Sequence, residues 1–328
     1  MTVDLTFAIC THRRNALLQC ALESLLDAER PPDMKIEVVV VDNSDGQDAA
    51  PVISAAAKRA RGGAAPFVIR CVGAHPANIS VARNAALEAS NAPWLAFLDD
   101  DQHIARDWFV EARRAIRETS ADALFGAIAP QFEDGAQPTH AAHNLFTRNL
   151  KAIEGSALYA FGPHKTLGAA LATGNTLFRR STALAHWRFD PAFGLAGGED
   201  FDLFCRLQSA GRRFAWRPSL RAFELVPAAR CEPSYLRRRF YAGGQVYAAA
   251  IAGLSPMPQL ARWRLRGRAL AQALWLAPGA AAAFLRGGAA RDEASYVLAG
   301  VLGKLSLGSP HPLYREAHNI RQSLLTEI

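Results

Sequence analysis

Apolar positions in the first third of the chain switch between two periods. Residues 5–10 (LTFAIC), 36–42 (IEVVVVD), 67–72 (FVIRCV) and 94–99 (WLAFLD) are short, continuously apolar runs of the kind that form strands buried on both faces. Between them, residues 15–28, 48–61 and 80–90 place apolar side chains at helical spacing. This βαβαβαβ order predicts an α/β domain with a mainly parallel central sheet flanked by helices.

Further on, the pattern predicts a helix over 109–119 and a strand over "ALFGAIAP". Residues 131–166 are polar and contain Gly, Pro and His, which reads as a mobile loop over the site. "ATGNTLFRRS" reads as a strand with a Gly-Asn bend, "LAGGED" leads into a helix carrying Leu203, Phe204 and Leu207, and "RRFAWRP" gives a short strand. From Ser234 onward the pattern is helical and rich in Ala, Leu and Arg. The expected organisation is therefore an α/β domain over 1–230 and a helical, arginine-rich extension over 231–328.

Charge sharpens that division. The net charge is +7, which favours an anionic partner. Between Arg230 and Arg291 there are ten arginines and a single acid, Glu232. Within this region residues 269–285 carry no charge, at the lower edge of the about 17–25 residues that span a bilayer. Arg262, Arg264, Arg266, Arg268 and Arg286 flank them. The pattern fits a helix lying in a membrane interface or a buried helical hairpin, and the first is preferred. Arginines beside apolar helices suit an acidic lipid surface better than a nucleic-acid duplex. The five cysteines are odd in number and form no C-x-x-C pair, so a disulfide framework is not expected and a reducing, cytoplasmic setting is. The N-terminal apolar run is too short for a signal peptide.

Candidate chemistry collects where an open α/β sheet binds ligands, at the carboxyl ends of its strands. There stand Thr11, His12 and Arg13, then Asp42, and then Asp99, Asp100 and Asp101. Three adjacent carboxylates repel one another and call for a cation; their oxygens suit Mg²⁺ or Mn²⁺, and an acidic helix cap is the plainer alternative. Asp42 suits a base or ribose, or simply the turn that follows it. "ANISVARNAA" sets Asn78 and Ser80 before a helix and Arg83 within it, which suits a phosphate, although Ser80 reads equally well as an N-cap. "GLAGGEDFDLFCRL" puts Glu199 and Asp200 after two glycines that allow close backbone approach to a ligand. The positive end of a helix favours negative charge there, so a general base and a first-turn acid are both open readings. No G-x-x-x-x-G-K-[ST], strand-linked G-x-G-x-x-G, G-x-S-x-G or H-E-x-x-H occurs, which disfavours P-loop enzymes, dinucleotide dehydrogenases, α/β-hydrolases and zincins.

The order of these segments is more specific than any one of them. "FAICTHRRNALLQCALESLL", "VVVVDNSD", "NISVARNAAL", "LAFLDDDQ", "ATGNTLFRR" and "GGEDFDLFCRL" together resemble the inverting glycosyltransferases of family 2, whose nucleotide-sugar-binding fold is called GT-A. "AFELVPAARCEPSYLRRRFYAGGQ" is similar to the bacterial subgroup that includes the succinoglycan-biosynthesis glucosyltransferases. The resemblance implies transfer of a sugar from a nucleotide-diphosphate donor, UDP-linked by expectation, to a glycan or lipid-linked acceptor in surface polysaccharide or glycolipid synthesis. It implies a peripheral location at the cytoplasmic face of the bacterial inner membrane. The alternative is a catalytically silent glycan or nucleotide-sugar scaffold with the same fold.

Carried onto this chain, the resemblance makes Asp42 a base or ribose ligand and puts His12, beside Thr11 and Arg13, where an aromatic ring stacks on uracil. Asn78 and Arg83 would line the donor pocket, with Arg238 and Arg239 holding the diphosphate or acceptor. Asp99–Asp101 become the D-x-D motif, with Asp101 the main ligand of Mg²⁺ or Mn²⁺, Asp99 in support and Asp100 near the ribose. Asp200 becomes the catalytic base and Glu199 its acidic neighbour. This chain departs from relatives at His12-Arg13, where many have an aromatic residue followed by Asn. It also departs at Glu224, where many offer a metal-binding histidine, so the third protein ligand stays open.

Overall fold

The computed structural model describes residues 3–62, 67–167 and 171–313. In chain order the elements are β1 (Leu5–Thr11), α1 (Asn15–Asp27), β2 (Ile36–Asp42), α2 (Ala50–Gly62), β3 (Val68–Gly73), α3 (Ile79–Ala89) and β4 (Trp94–Asp99). Then come β5 (Gln102–Ile104), α4 (Trp108–Glu118), β6 (Ala123–Phe132), α5 (His140–Phe146), β7 (Ala157–Leu158) and β8 (Thr176–Arg179). The remainder comprises α6 (Glu199–Ser209), β9 (Phe214–Val226), α7 (Pro233–Gly253), α8 (Pro258–Arg286) and α9 (Gly288–Leu305).

The chain divides into two compact units. The first comprises Met1–Gln131, Asn144–Phe189 and Leu207–Val226; the second comprises Phe132–His143, Asp190–Arg206 and Pro227–Ile328. The sheet belongs to the first, with strand order β3-β2-β1-β4-β8-β6-β9-β5 and β7 added beside β9. Pairings among β3, β2, β1 and β4 are parallel, as the alternating pattern predicts. The pairs β4/β8, β6/β8, β5/β9 and β7/β9 are antiparallel. β2 is buried along its whole length, which explains its unbroken apolar run. Phe7 of the neighbouring β1 meets the rings of Trp108 and Phe109 of α4 edge-on at 5.0 and 5.7 Å.

Three local expectations change. The strand begun by "RRFAWRP" runs on to Val226, because Leu220 and Ala222 keep alternating into the core after Pro218. Residues 131–166 are not one loop: they contain α5 and β7, and Arg148 forms a bridge with Ile128. In "ATGNTLFRRS" only Thr176–Arg179 is strand, and the Gly-Asn bend is real, with Asn175 in the left-handed region at φ 51°. Asn tolerates that conformation better than other non-glycine residues.

In the second unit α7, α8 and α9 pack together. Two glycines permit the contact between α7 and α9: a Cβ on Gly244 would meet the carbonyl oxygen of Gly300, and one on Gly303 would meet that of Tyr241. α8 is different. Among its described side chains only Ala269 and Ala283 are buried, while Trp263 and Trp275 are 65% and 80% exposed. The apolar stretch 269–285 is thus part of an exposed helix, against the buried-hairpin alternative. Among the described residues no helix is long and apolar enough to cross a membrane. Residues 314–328 of the expected extension lie outside the described residues.

Candidate active site

The carboxyl ends of β1, β2 and β4 come together through polar side chains of the first unit. Thr11, the last residue of β1, donates its hydroxyl to Asp100 Oδ2 at 2.9 Å. Arg14, just before α1, forks between two carboxylates: one terminal nitrogen contacts Asp100 Oδ1 and the other lies 2.7 Å from Asp101 Oδ2. A protein cation therefore answers the repulsion of the triple aspartate. Asp100 and Asp101 have side chains only 4% and 5% exposed, whereas that of Asp99 is 36% exposed. Arg83 from α3 reaches Asp99 Oδ1 at 3.2 Å and lies over the Phe189 ring.

Burial pushes the Asp100 carboxyl up to about 6, against the pull of Arg14 and the Thr11 hydrogen bond; the charges of Asp101 and Asp99 push the same way as burial. The backbone of the turn is anchored from β9, where Leu225 donates to the Asp101 carbonyl at 2.8 Å. In the same pairing Glu224 lies opposite Gln102 and accepts from its amide at 3.4 Å. Glu224 is thereby brought beside the acidic turn.

Behind Asp99 stands Gly174. A Cβ there would lie 2.5 Å from Asp99 Oδ2 and 2.7 Å from the Gln102 amide, so any larger residue would have to push both side-chain ends aside. Arg148 holds this bend from within. It is fully buried and donates to the carbonyls of Gly126, Ala172, Gly174 and Asn175 at 2.6–2.8 Å. Asn175 joins the bend to α4 by accepting from the Trp108 indole at 2.8 Å.

The second strand end is built differently. Asp42 is fully buried; Oδ1 accepts from the Ser44 amide and hydroxyl, and Oδ2 from the Ala49 amide, at 2.6–2.9 Å. Its carboxylate holds the turn of residues 43–48, the plainer of the two readings of that sequence. Beside it His12 Nδ1 lies 2.8 Å from the Asn43 carbonyl, and Arg13, in the left-handed region, pairs with Asp48 at 3.4 Å. Asn43 ties this end to α3 by donating to the Ala74 carbonyl and accepting from the Asn78 amide. Asn78, not Ser80, is the N-cap of α3: its side-chain oxygen accepts from Ser80 and Val81 amides.

In the second unit, Glu199 and Asp200 open α6, and Asp200 Oδ1 accepts from the Phe201 amide at 2.6 Å. Glu199 is buried; Asp200 is half-buried. The two preceding glycines serve separate needs. Gly197 has φ 72°, and a Cβ on Gly198 would collide with Val246 of α7. The close approach expected of these glycines is thus to a helix of their own unit. Asp202, buried one turn on, pairs with Arg206 at 2.7 Å; burial raises its carboxyl, and Arg206 opposes that. Arg239 donates to the Gly197 carbonyl at 3.4 Å, and Arg238 is half-buried one position earlier on α7.

The acidic turn suits a hard divalent cation by the chemistry of its oxygens and by the cradle that Gly174 leaves at Asp99. Among the described residues no three His, Cys, Asp or Glu side chains converge as a closed metal cage. Arg14, Arg148 and Gly174 were missed as site residues by sequence reasoning. Arg14 carries a signal, being the second of two arginines after β1, while Arg148 is a single arginine in a polar segment and carries none.

Comparison with known proteins agrees with this architecture. The model of "Glycosyl transferase family 2" matches residues 6–181, and that of "Glycosyl transferase family group 2" matches residues 94–301. Succinoglycan biosynthesis protein ExoM of Rhizobium meliloti (strain 1021) is 32% identical over 252 residues, which are 76% of each chain. Among solved structures, the mannosyltransferase PcManGT from Pyrobaculum calidifontis, in complex with GDP-Man and Mn²⁺, superimposes with a TM-score of 0.58 at 18% identity, over 93% of this chain and 88% of that one. TarS 1-349 of S. aureus, in complex with UDP-GlcNAc, gives 0.55 at 14% identity, over 79% and 70%. The fold is GT-A, and the chain belongs to glycosyl transferase family 2.

Proposed function

We propose that the protein is an inverting glycosyltransferase that moves a sugar from a nucleotide-diphosphate donor, preferably UDP-linked, to a glycan or lipid-linked acceptor in surface polysaccharide or glycolipid synthesis. The observation that carries this reading is the occurrence, in one chain of this family, of both an intact acidic turn at Asp99–Asp101 and an intact Gly-Gly-Glu-Asp helix start at Asp200. The identity with ExoM supports a role in polysaccharide synthesis, and the neighbours solved in complex with UDP-GlcNAc and with GDP-Man and Mn²⁺ support the donor class.

In the proposed reaction Asp200 accepts the proton of an acceptor hydroxyl as that oxygen attacks the anomeric carbon. The bond from that carbon to the diphosphate oxygen breaks, and the nucleoside diphosphate leaves with the electron pair. One displacement inverts the configuration, so an α-linked donor gives a β-glycoside. Mg²⁺ or Mn²⁺, held by Asp99 and Asp101, supplies charge to neutralise the departing diphosphate. Asp100 and Thr11 position the turn, and Arg83 steadies Asp99. His12, Arg13 and Asn78 border the nucleoside side of the donor, with Asp42 shaping the turn beneath it. Arg238 and Arg239 add positive charge for the diphosphate or acceptor, and Glu199 supports the base. We assign the exposed apolar surface of α8, with Arg262, Arg264, Arg266 and Arg268, to the anionic inner face of the bacterial inner membrane.

Asp200→Asn tests the reading. It is expected to keep donor affinity and lose about 10²–10⁴ in kcat, the usual contribution of a general base. Wild-type turnover in that variant would remove Asp200 from the mechanism.

A further inference from the structure

The guanidinium of Arg14 occupies the two carboxylates deepest in the acidic turn. Each terminal nitrogen is given to a different residue, Asp100 or Asp101, instead of both to one carboxylate. Its partners are nearly inaccessible, yet the Arg14 side chain itself is 22% exposed and stands at the start of α1. The turn beneath it cannot easily rearrange. Its main chain is fixed by Leu225, and Asp100 is held by Thr11. Of the two side chains that meet at Asp101 Oδ2, the arginine is the more exposed.

We propose that Arg14 is a latch on the metal site, neutralising Asp100 and Asp101 until a divalent cation takes its place on Asp101 and releases the guanidinium to the donor diphosphate. The inference rests on the reading of Asp99–Asp101 as the metal-holding turn. Its physical basis is charge balance. With Arg14 on Asp100 and Asp101 and Arg83 on Asp99, two guanidiniums already meet the turn, and a dication on Asp101 Oδ2 competes with Arg14 for that oxygen. A nucleotide diphosphate changes the balance, because its phosphate oxygens share the ion and accept a guanidinium in a planar, two-point geometry. Metal and nucleotide therefore assist one another through Arg14. By linkage each raises the affinity of the other by the same factor, in the range of about 5–150-fold typical of coupled sites.

The test is Mn²⁺ binding, read from the electron paramagnetic resonance signal of the free ion, with and without UDP, in wild type, Arg14→Gln and Arg14→Lys. Wild type is expected to bind Mn²⁺ weakly alone and about 5–150-fold more tightly with UDP. Arg14→Gln is expected to bind Mn²⁺ alone about tenfold more tightly than wild type and to lose most of the enhancement by UDP, because the vacated carboxylates attract the ion directly. Arg14→Lys, which keeps the charge, is expected to fall between the two. Mn²⁺ affinity in Arg14→Gln equal to or below wild type overturns the latch, as does a wild-type affinity indifferent to UDP; the second holds even if the glutamine variant does not fold. A wild type that binds UDP but no Mn²⁺ under either condition instead removes the metal role of the acidic turn, and the latch with it.

Discussion

At the scale of single residues, neighbouring carboxylates of one type do different work because their surroundings differ. Asp99 is partly exposed and meets Arg83, whereas Asp100 is buried between Thr11 and Arg14, and its carboxyl is raised to about 6. A raised carboxyl binds protons more readily in the folded than in the unfolded chain. The stability it contributes is fully present below the unfolded value near 3.8 and is lost as pH rises through about 6. Urea unfolding of EDTA-treated protein should therefore show wild-type stability, relative to Asp100→Asn, declining between pH 4 and pH 7. A relative stability that stays level or rises over that range contradicts this account of Asp100. The aspartates themselves were legible in the sequence because three adjacent acids after an apolar run are conspicuous. Arg14 was not, because the arginine pair after β1 is visible in the sequence but its pairing across 86 positions is not. The roles of Asn78 and Asp42 were open for a related reason. Caps, turns and ligand sites draw on the same residue types; the hydrogen bonds show the cap and the turn, which the sequence offered beside a ligand role.

At the scale of elements, periodicity was readable wherever one environment persisted along a segment. β1, β2 and β4 are buried throughout and read as apolar runs, and α1, α2 and α3 bury one stripe. The segment 131–166 was misread because its order comes from distant partners. Arg148 reaches carbonyls of residues 126 and 172–175, and β7 has only two residues, paired with β9. The glycines of α7 and α9 are equally silent in sequence, since helix propensity alone disfavours them. Their contact makes a prediction. Gly303→Ala places a methyl group against the backbone carbonyl of Tyr241, which cannot step aside as a side chain would, so the helices must separate. A loss of about 1–3 kcal/mol is expected from such overpacking, measured by urea unfolding followed by circular dichroism. Gly243→Ala, on the same helix pair with open space at its Cβ, is expected to be neutral or slightly stabilising. Equal effects of the two substitutions would count against the close packing.

At the scale of the whole molecule, family and fold class followed from the order of six weak motifs over a βαβαβαβ pattern, while the second unit was legible only as helix and charge. An exposed helix with Trp263, Leu274, Trp275 and Leu285 beside four arginines is expected to bind lipid. Sedimentation with anionic liposomes should retain the protein at low salt, release it as salt rises, and fall markedly for Trp275→Glu combined with Leu274→Glu. Equal sedimentation of that double variant would remove α8 from the membrane contact. The central claim, that the chain binds and uses a nucleotide-diphosphate sugar through a divalent ion, is met most directly by one measurement: a panel of nucleotide sugars scored for thermal stabilisation with Mn²⁺ and with EDTA. The account predicts that at least one UDP-linked sugar stabilises the protein only when Mn²⁺ is present, by about 2.7 kcal/mol at a hundredfold excess over Kd. A panel in which no nucleotide sugar stabilises the protein, with or without the ion, contradicts it.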